Sequence, residues 1–151
     1  MVNTRLIQPQ VIPFLNRPPL EAICKVVDVS HHLEAESLNA EARAYAALKH
    51  LQGVVIPTLY GFYTVWGILR LIALEPVGQA ITETETINQQ LRQKMRDALY
   101  RIHRAGYVHG DVARRNFCRR QDGRIFLVDL ERCQCRNQAE RDIEMNAVNE
   151  L

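Results

Sequence analysis

Glycine is missing from the first third of this 151-residue chain: none precedes Gly53, so no glycine-rich loop can cradle a phosphate there. Lysine is scarce, with Lys25, Lys49 and Lys94 set against 16 arginines. No segment holds the roughly 18 uninterrupted apolar residues of a membrane span. The most apolar stretch, Gly53–Leu69, is broken by Pro57, Thr58, Gly61, Thr64 and Gly67. The N-terminus has neither the apolar run nor the small-residue cleavage site of a secretory signal. The four cysteines form no C-x-x-C pair, and the C-x-C of Cys133 and Cys135 fits no common zinc spacing. With 7 Gly and 6 Pro, collagen-like and low-complexity chains are excluded. The expectation is an intracellular, cytoplasmic protein with reduced thiols, no structural metal and no membrane contact.

What is present is ordinary for one folded domain: 47% hydrophobic and 24% charged residues, with a net charge of +2. The charge is unevenly spread. Residues 101–136 hold nine arginines against Asp111, Asp122, Asp129 and Glu131, and the last 15 residues reverse the sign. A local arginine excess suits phosphate ligands or nucleic acid, or is a solvated basic surface. The small net charge and the 7% aromatic content make a nucleic-acid binder acting through Arg114, Arg115, Arg119, Arg120 and Arg124 the weakest reading.

Residues 1–20 carry four of the six prolines and read as an irregular arm or an edge strand. Glu21–Val29 is short and β-branched, hence a strand. Leu38, Ala42, Tyr45 and Leu48 recur at helical spacing and predict a helix over Leu38–Leu51, stopped near Gly53. Leu59–Val65 and Ile68–Leu74 predict a hairpin turning at Trp66-Gly67. Glu75-Pro76-Val77-Gly78 reads as a connector. Thr86–Ala105 predicts the longest helix, with Thr86 and Gln89 as a capping box. Two short strands, Asn116–Arg120 and Arg124–Asp129, flank Asp122-Gly123, and Asn137–Leu151 predicts a final helix capped by Asn137. This order predicts an α+β fold with antiparallel pairing.

Three charged positions are out of place. Glu41 falls inside the apolar stripe of its helix, where an ionised carboxylate is costly unless paired. Lys25 is the matching cation inside an apolar strand, and a Lys25–Glu41 pair would satisfy both; otherwise both are exposed. If Asp122-Gly123 is a two-residue turn, Asn116 faces Asp129 across the hairpin, because paired positions sum to 245. An amide and a carboxylate oxygen side by side are half of a hard-cation site, or a polar pair at a hairpin mouth. Asp111 lies in the loop His109-Gly110-Asp111, placed to orient or deprotonate a hydroxyl beside such a site, or to cap a turn.

Together these residues resemble the protein-kinase-like family. Lys25 matches the strand lysine and Glu41 the helix glutamate. The segment from His109 through Asp111 to Asn116 matches the catalytic loop, Asp129 matches the metal aspartate, and Leu74–Gly78 is similar to the hinge of an adenine pocket. Leu59-Tyr60-Gly61, Arg115-Asn116-Phe117 and the acidic tail helix are similar to small kinase-like proteins common in fungi. The resemblance implies a minimal kinase-like fold: a small antiparallel-sheet lobe with one helix over residues 21–75, a hinge at 75–79, and a reduced, mostly helical lobe over 80–151. It implies ATP and Mg²⁺ as cofactors. Lys25, paired to Glu41, would hold the α/β-phosphates, and Glu75 and Val77 would line the adenine site. Asn116 and Asp129 would hold the metal, Asp111 would be the catalytic base, and His109 would brace the loop.

The departures are the absent glycine-rich loop, Gly110 in place of the arginine of regulated kinases, and Leu130-Glu131 in place of Phe-Gly. Histidine-glycine-aspartate is similar to small-molecule and atypical kinases. Only 22 residues follow Asp129, so a peptide-substrate platform is not expected. Two functions fit: an ATP·Mg²⁺ phosphotransferase, or a pseudokinase that binds nucleotide or a protein partner without turnover.

Overall fold

The computed structural model describes residues 21–151. The arm expected at 1–20 lies outside the described residues. Strand β1 (Ile23–Asp28) is followed by helix α1 (His32–Ala47) and a 3₁₀ turn at Lys49–Leu51. The helix begins six residues before the expected Leu38. Ala35 is buried one turn ahead of Leu38, so the packing face reaches further back than the large apolar residues show. Strands β2 (Leu59–Val65) and β3 (Leu69–Leu74) form the expected hairpin, with Trp66 in the left-handed region at its tip. β3 also pairs with β1, giving an antiparallel sheet ordered β1-β3-β2.

The connector at 75–78 leads to β4 (Gln79–Ala80) and then to helix α2 (Gln89–Arg104). The expected capping box at Thr86 does not form. Asn88 Oδ1 accepts from the Leu91 amide at 2.8 Å, and asparagine, among the strongest N-cap residues, fixes the start. Of the apolar stripe expected from Ile87 to Ile102, Leu91, Met95, Ala98, Leu99 and Ile102 are buried on the helix, while Ile87 precedes it and is half-buried. Short strands β5 (Tyr107–Val108), β6 (Phe117–Arg119), β7 (Ile125–Leu127) and β8 (Gln134–Cys135) follow, with 3₁₀ turns at Arg114–Asn116 and Leu130–Arg132. Helix α3 (Gln138–Glu150) closes the chain, capped by Asn137 through the Glu140 amide as expected. Arg92 of α2 donates to the carbonyls of Val148 and Asn149, satisfying the open end of α3.

The β6–β7 register differs from the expected one. Phe117 pairs with Leu127 and Arg119 with Ile125, so paired positions sum to 244. Gly123 adopts φ +79 and its amide donates to the Arg120 carbonyl, which makes the turn three residues long instead of two. Asn116 therefore lies opposite Val128, whose amide donates to the Asn116 carbonyl, and not opposite Asp129.

The larger of two core clusters runs through both halves, from Val27, Leu38 and Ile72 to Ile102, Phe117, Leu130 and Val148, and a smaller one joins Val77, Cys118 and Phe126. Among the described residues, no helix is long and apolar enough to cross a membrane.

Candidate active site

Lys25 and Glu41 meet. The strand carries Lys25 toward α1, and Lys25 Nζ donates to Glu41 Oε2 at 2.7 Å. The same ammonium donates to Asp129 Oδ1, also at 2.7 Å. Glu41 is 1% exposed, and its second oxygen accepts weakly from the Leu130 amide at 3.4 Å. Burial pulls the Lys25 ammonium down, but Glu41 and Asp129 together outweigh it and hold its pKa above the usual lysine value. Burial pushes the Glu41 carboxyl up, against the pull of Lys25. Asp129 sits at φ +65 just after β7, where the chain leaves the ladder. That turn, and not a strand register, aims its carboxylate at Lys25. Its other oxygen accepts no hydrogen bond among the described residues.

The loop after β5 is organised around a buried histidine. His109 Nε2 lies 2.9 Å from the Val128 carbonyl, and Nδ1 lies 3.3 Å from the Asp111 amide. A carbonyl only accepts and an amide only donates, so Nε2 carries the proton and the ring is neutral. Burial lowers the His109 pKa in the same sense. His109 thereby ties the Asp111 backbone to the residue preceding Asp129. Asn116 Nδ2 donates to the Asp111 carbonyl at 2.8 Å and to Asp111 Oδ2 at 3.1 Å, and Asn116 Oδ1 accepts no hydrogen bond among the described residues. Arg115 Nη2 reaches the same Asp111 oxygen at 2.6 Å. Burial raises the Asp111 pKa, but the bonds from Asn116 and Arg115 outweigh it and keep the carboxyl below its ordinary value. Gly110 has φ +85, and a Cβ there would lie 2.5 Å from the Arg132 carbonyl oxygen. Both facts exclude the arginine of regulated kinases at this position.

A cavity of about 650 Å³ opens against the Lys25–Glu41–Asp129 cluster. Ile23, Val27, Leu74, Val77 and Val128 give it apolar walls, and Glu75 and Gly78 of the connector line it. Asp111 and Asn116 do not line it. The Glu75 carboxylate is taken up by Arg120 and by the amide and hydroxyl of Thr58, at 3.0 and 2.8 Å. That leaves the connector backbone, not the Glu75 side chain, to face a ligand.

Sequence reasoning passed over Glu144. From α3 it accepts from the amides of His109 (2.9 Å) and Gly110 (2.6 Å) and meets His103 Nε2 at 2.7 Å. The signal was there: Glu144 stands one turn before the buried Val148, a carboxylate beside the packed face of its helix, as Glu41 is. The Lys25–Asp129 contact joins residues 104 positions apart, and no local pattern carries it. The five arginines at 114–124 all have acceptors within the chain: Glu83 for Arg114, Asp111 for Arg115, Glu85 for Arg119, Glu75 for Arg120 and Asp122 for Arg124.

A sequence model of the Lipopolysaccharide kinase (Kdo/WaaP) family matches residues 71–149, more than half of the chain. The chain belongs to this family. The stretch matched to the Kdo/WaaP family contains Glu75, Val77, Asp111, Asn116 and Asp129, while Lys25 and Glu41 precede it. The chain is also 31% identical over 105 residues to the meiotic driver SPOK2 of Podospora anserina. That alignment covers 63% of this chain and 13% of SPOK2, so the chain spans a small part of that relative's length.

Proposed function

We propose that the protein is an ATP·Mg²⁺-dependent phosphotransferase on a reduced kinase-like fold, with residues 21–75 and 80–151 as its two lobes and 75–79 as the hinge. Membership of a kinase family supports the class of reaction. The single observation that carries the nucleotide reading is the convergence of Lys25, Glu41 and Asp129 at the floor of an apolar cavity.

The adenine would lie between Ile23, Val27 and Val77, against the connector backbone. Lys25 would meet the phosphates while Glu41 holds its ammonium in place. Among the described residues Asp129 and Asn116 each retain an unpartnered oxygen, the hard donor type that Mg²⁺ prefers. An ion held there would take its remaining ligands from phosphate and water. Such an ion would neutralise charge on the transferring phosphoryl group. Asp111, ionised and fixed by Asn116 and Arg115, would orient the acceptor hydroxyl and take its proton.

A second reading, nucleotide binding without turnover and action through a protein partner, is favoured by one observation: Asp111 and Asn116 do not line the cavity. A transfer assay with labelled ATP separates the two. Phosphoryl transfer, or slow ATP hydrolysis, that is lost in Asp111→Asn with unchanged ATP affinity supports the enzyme. ATP binding with no turnover in the parent protein supports the second reading.

A further inference from the structure

A triphosphate needs hydrogen-bond donors as well as a cation, and this chain has no glycine-rich loop to supply them. The cavity wall shows where one can come from. Among the described residues its only cationic side chain is Lys25, set among the carboxylates of Glu34, Glu41, Glu75, Asp129 and Glu131. Among the described residues the only hydroxyl on the wall belongs to Ser37. Ser37 lies on α1 four residues, about one turn, before Glu41, about 6 Å away along the helix axis, on the face that Leu38 and Glu41 also present to the cavity. It is half-buried, and its hydroxyl makes no hydrogen bond among the described residues, not even back to its own helix.

We infer that Ser37 is a nucleotide-binding residue, its hydroxyl donating to a phosphate oxygen beside Lys25. Helix α1 then does two things: Glu41 sets the lysine, and one turn away Ser37 supplies a neutral donor. A neutral donor suits this wall, because a second cation at 37 would be drawn to Glu34 and Glu41 before any phosphate arrived. The inference rests on the nucleotide reading above.

Calorimetric titration with ATP·Mg²⁺ and, separately, with adenosine tests it. Adenosine fills the apolar part of the cavity and has no phosphate. Ser37→Ala is expected to weaken ATP about tenfold or more, the loss expected for one hydrogen bond to a charged group, and to leave adenosine unchanged. Ser37→Thr, which keeps the hydroxyl, should restore ATP affinity, and Ser37→Val, of the same shape without it, should not. Equal ATP affinity in the parent and Ser37→Ala overturns the role of Ser37 alone, as does an equal loss for ATP and adenosine. A parent protein that binds neither ligand overturns the nucleotide reading and the inference with it.

Discussion

Lys25 has two carboxylates at 2.7 Å, whereas Glu41 has Lys25 and one weak amide contact and almost no water. The pair is therefore asymmetric. Removing the lysine strands a buried charge, and removing the glutamate leaves Lys25 with Asp129. Lys25→Met should lower stability at pH 7 by about 3–5 kcal/mol. Much of that should return in Lys25→Met/Glu41→Gln, and Glu41→Gln alone should cost less than Lys25→Met. Urea unfolding of the three variants checks the order, and a Lys25→Met protein as stable as the parent would contradict burial of the pair. Tyr45, one turn beyond Glu41, presents the opposite case. It is fully buried, and its hydroxyl has no partner among the described residues. Tyr45→Phe removes an unsatisfied polar group, so its melting midpoint should equal or exceed the parent's. A loss above about 1 kcal/mol would mean that the hydroxyl has a bonded partner.

Elements were legible in the sequence where periodicity or a single strong residue decides them, and illegible where a loop's length decides. The stripe on α2, the hairpin at Trp66-Gly67 and the Asn137 cap follow from local chemistry and appear within a few residues of expectation. The start of α2 was misread because Thr86 and Asn88 both carry capping side chains, and only the fold selects between them. Asn88→Ala should cost about 1 kcal/mol and Thr86→Ala close to nothing, as thermal unfolding would show. The β6–β7 turn was misread by one residue, since Asp122-Gly123 suits a two-residue turn as well as the end of a three-residue one. That single residue moves Asn116 out of register with Asp129. Lys25, Glu41, Asp111 and Asn116 were visible as charge or amide in the wrong surroundings or at a telling spacing. The contact between Lys25 and Asp129 was not, because it depends on a left-handed residue and on how the two halves of the chain pack.

Across the whole molecule, buried titratable groups link the site to folding. His109 is neutral when folded, and burial depresses its pKa. Its contribution is complete above the unfolded histidine value of about 6.5 and is lost as pH falls through that value toward the folded one. Glu144 and Glu75 are also held below their ordinary values. In each, burial raises the pKa and hydrogen bonds outweigh it: from His103 and the loop amides for Glu144, from Arg120 and Thr58 for Glu75. Their share is present above about pH 4.3 and is lost below it. Glu41, held high by burial, works in the other direction and favours the folded chain in acid. Stability should therefore begin to fall near pH 6.5 and fall again below about pH 4.3, read as unfolding free energy against pH. A flat profile from pH 7.5 to 5 in Glu41→Gln, where the opposing carboxyl is gone, would contradict the neutral, buried His109.

The most direct test of the central claim, that Lys25, Glu41 and Asp129 form the floor of a nucleotide site, is the melting shift produced by ATP with and without Mg²⁺. Saturating ATP·Mg²⁺, at 100 times its dissociation constant, should stabilise the protein by about 2.7 kcal/mol. The shift should shrink sharply without Mg²⁺ and in Asp129→Ala. A midpoint unmoved by ATP·Mg²⁺ in the parent protein, or moved equally in Asp129→Ala, would contradict it.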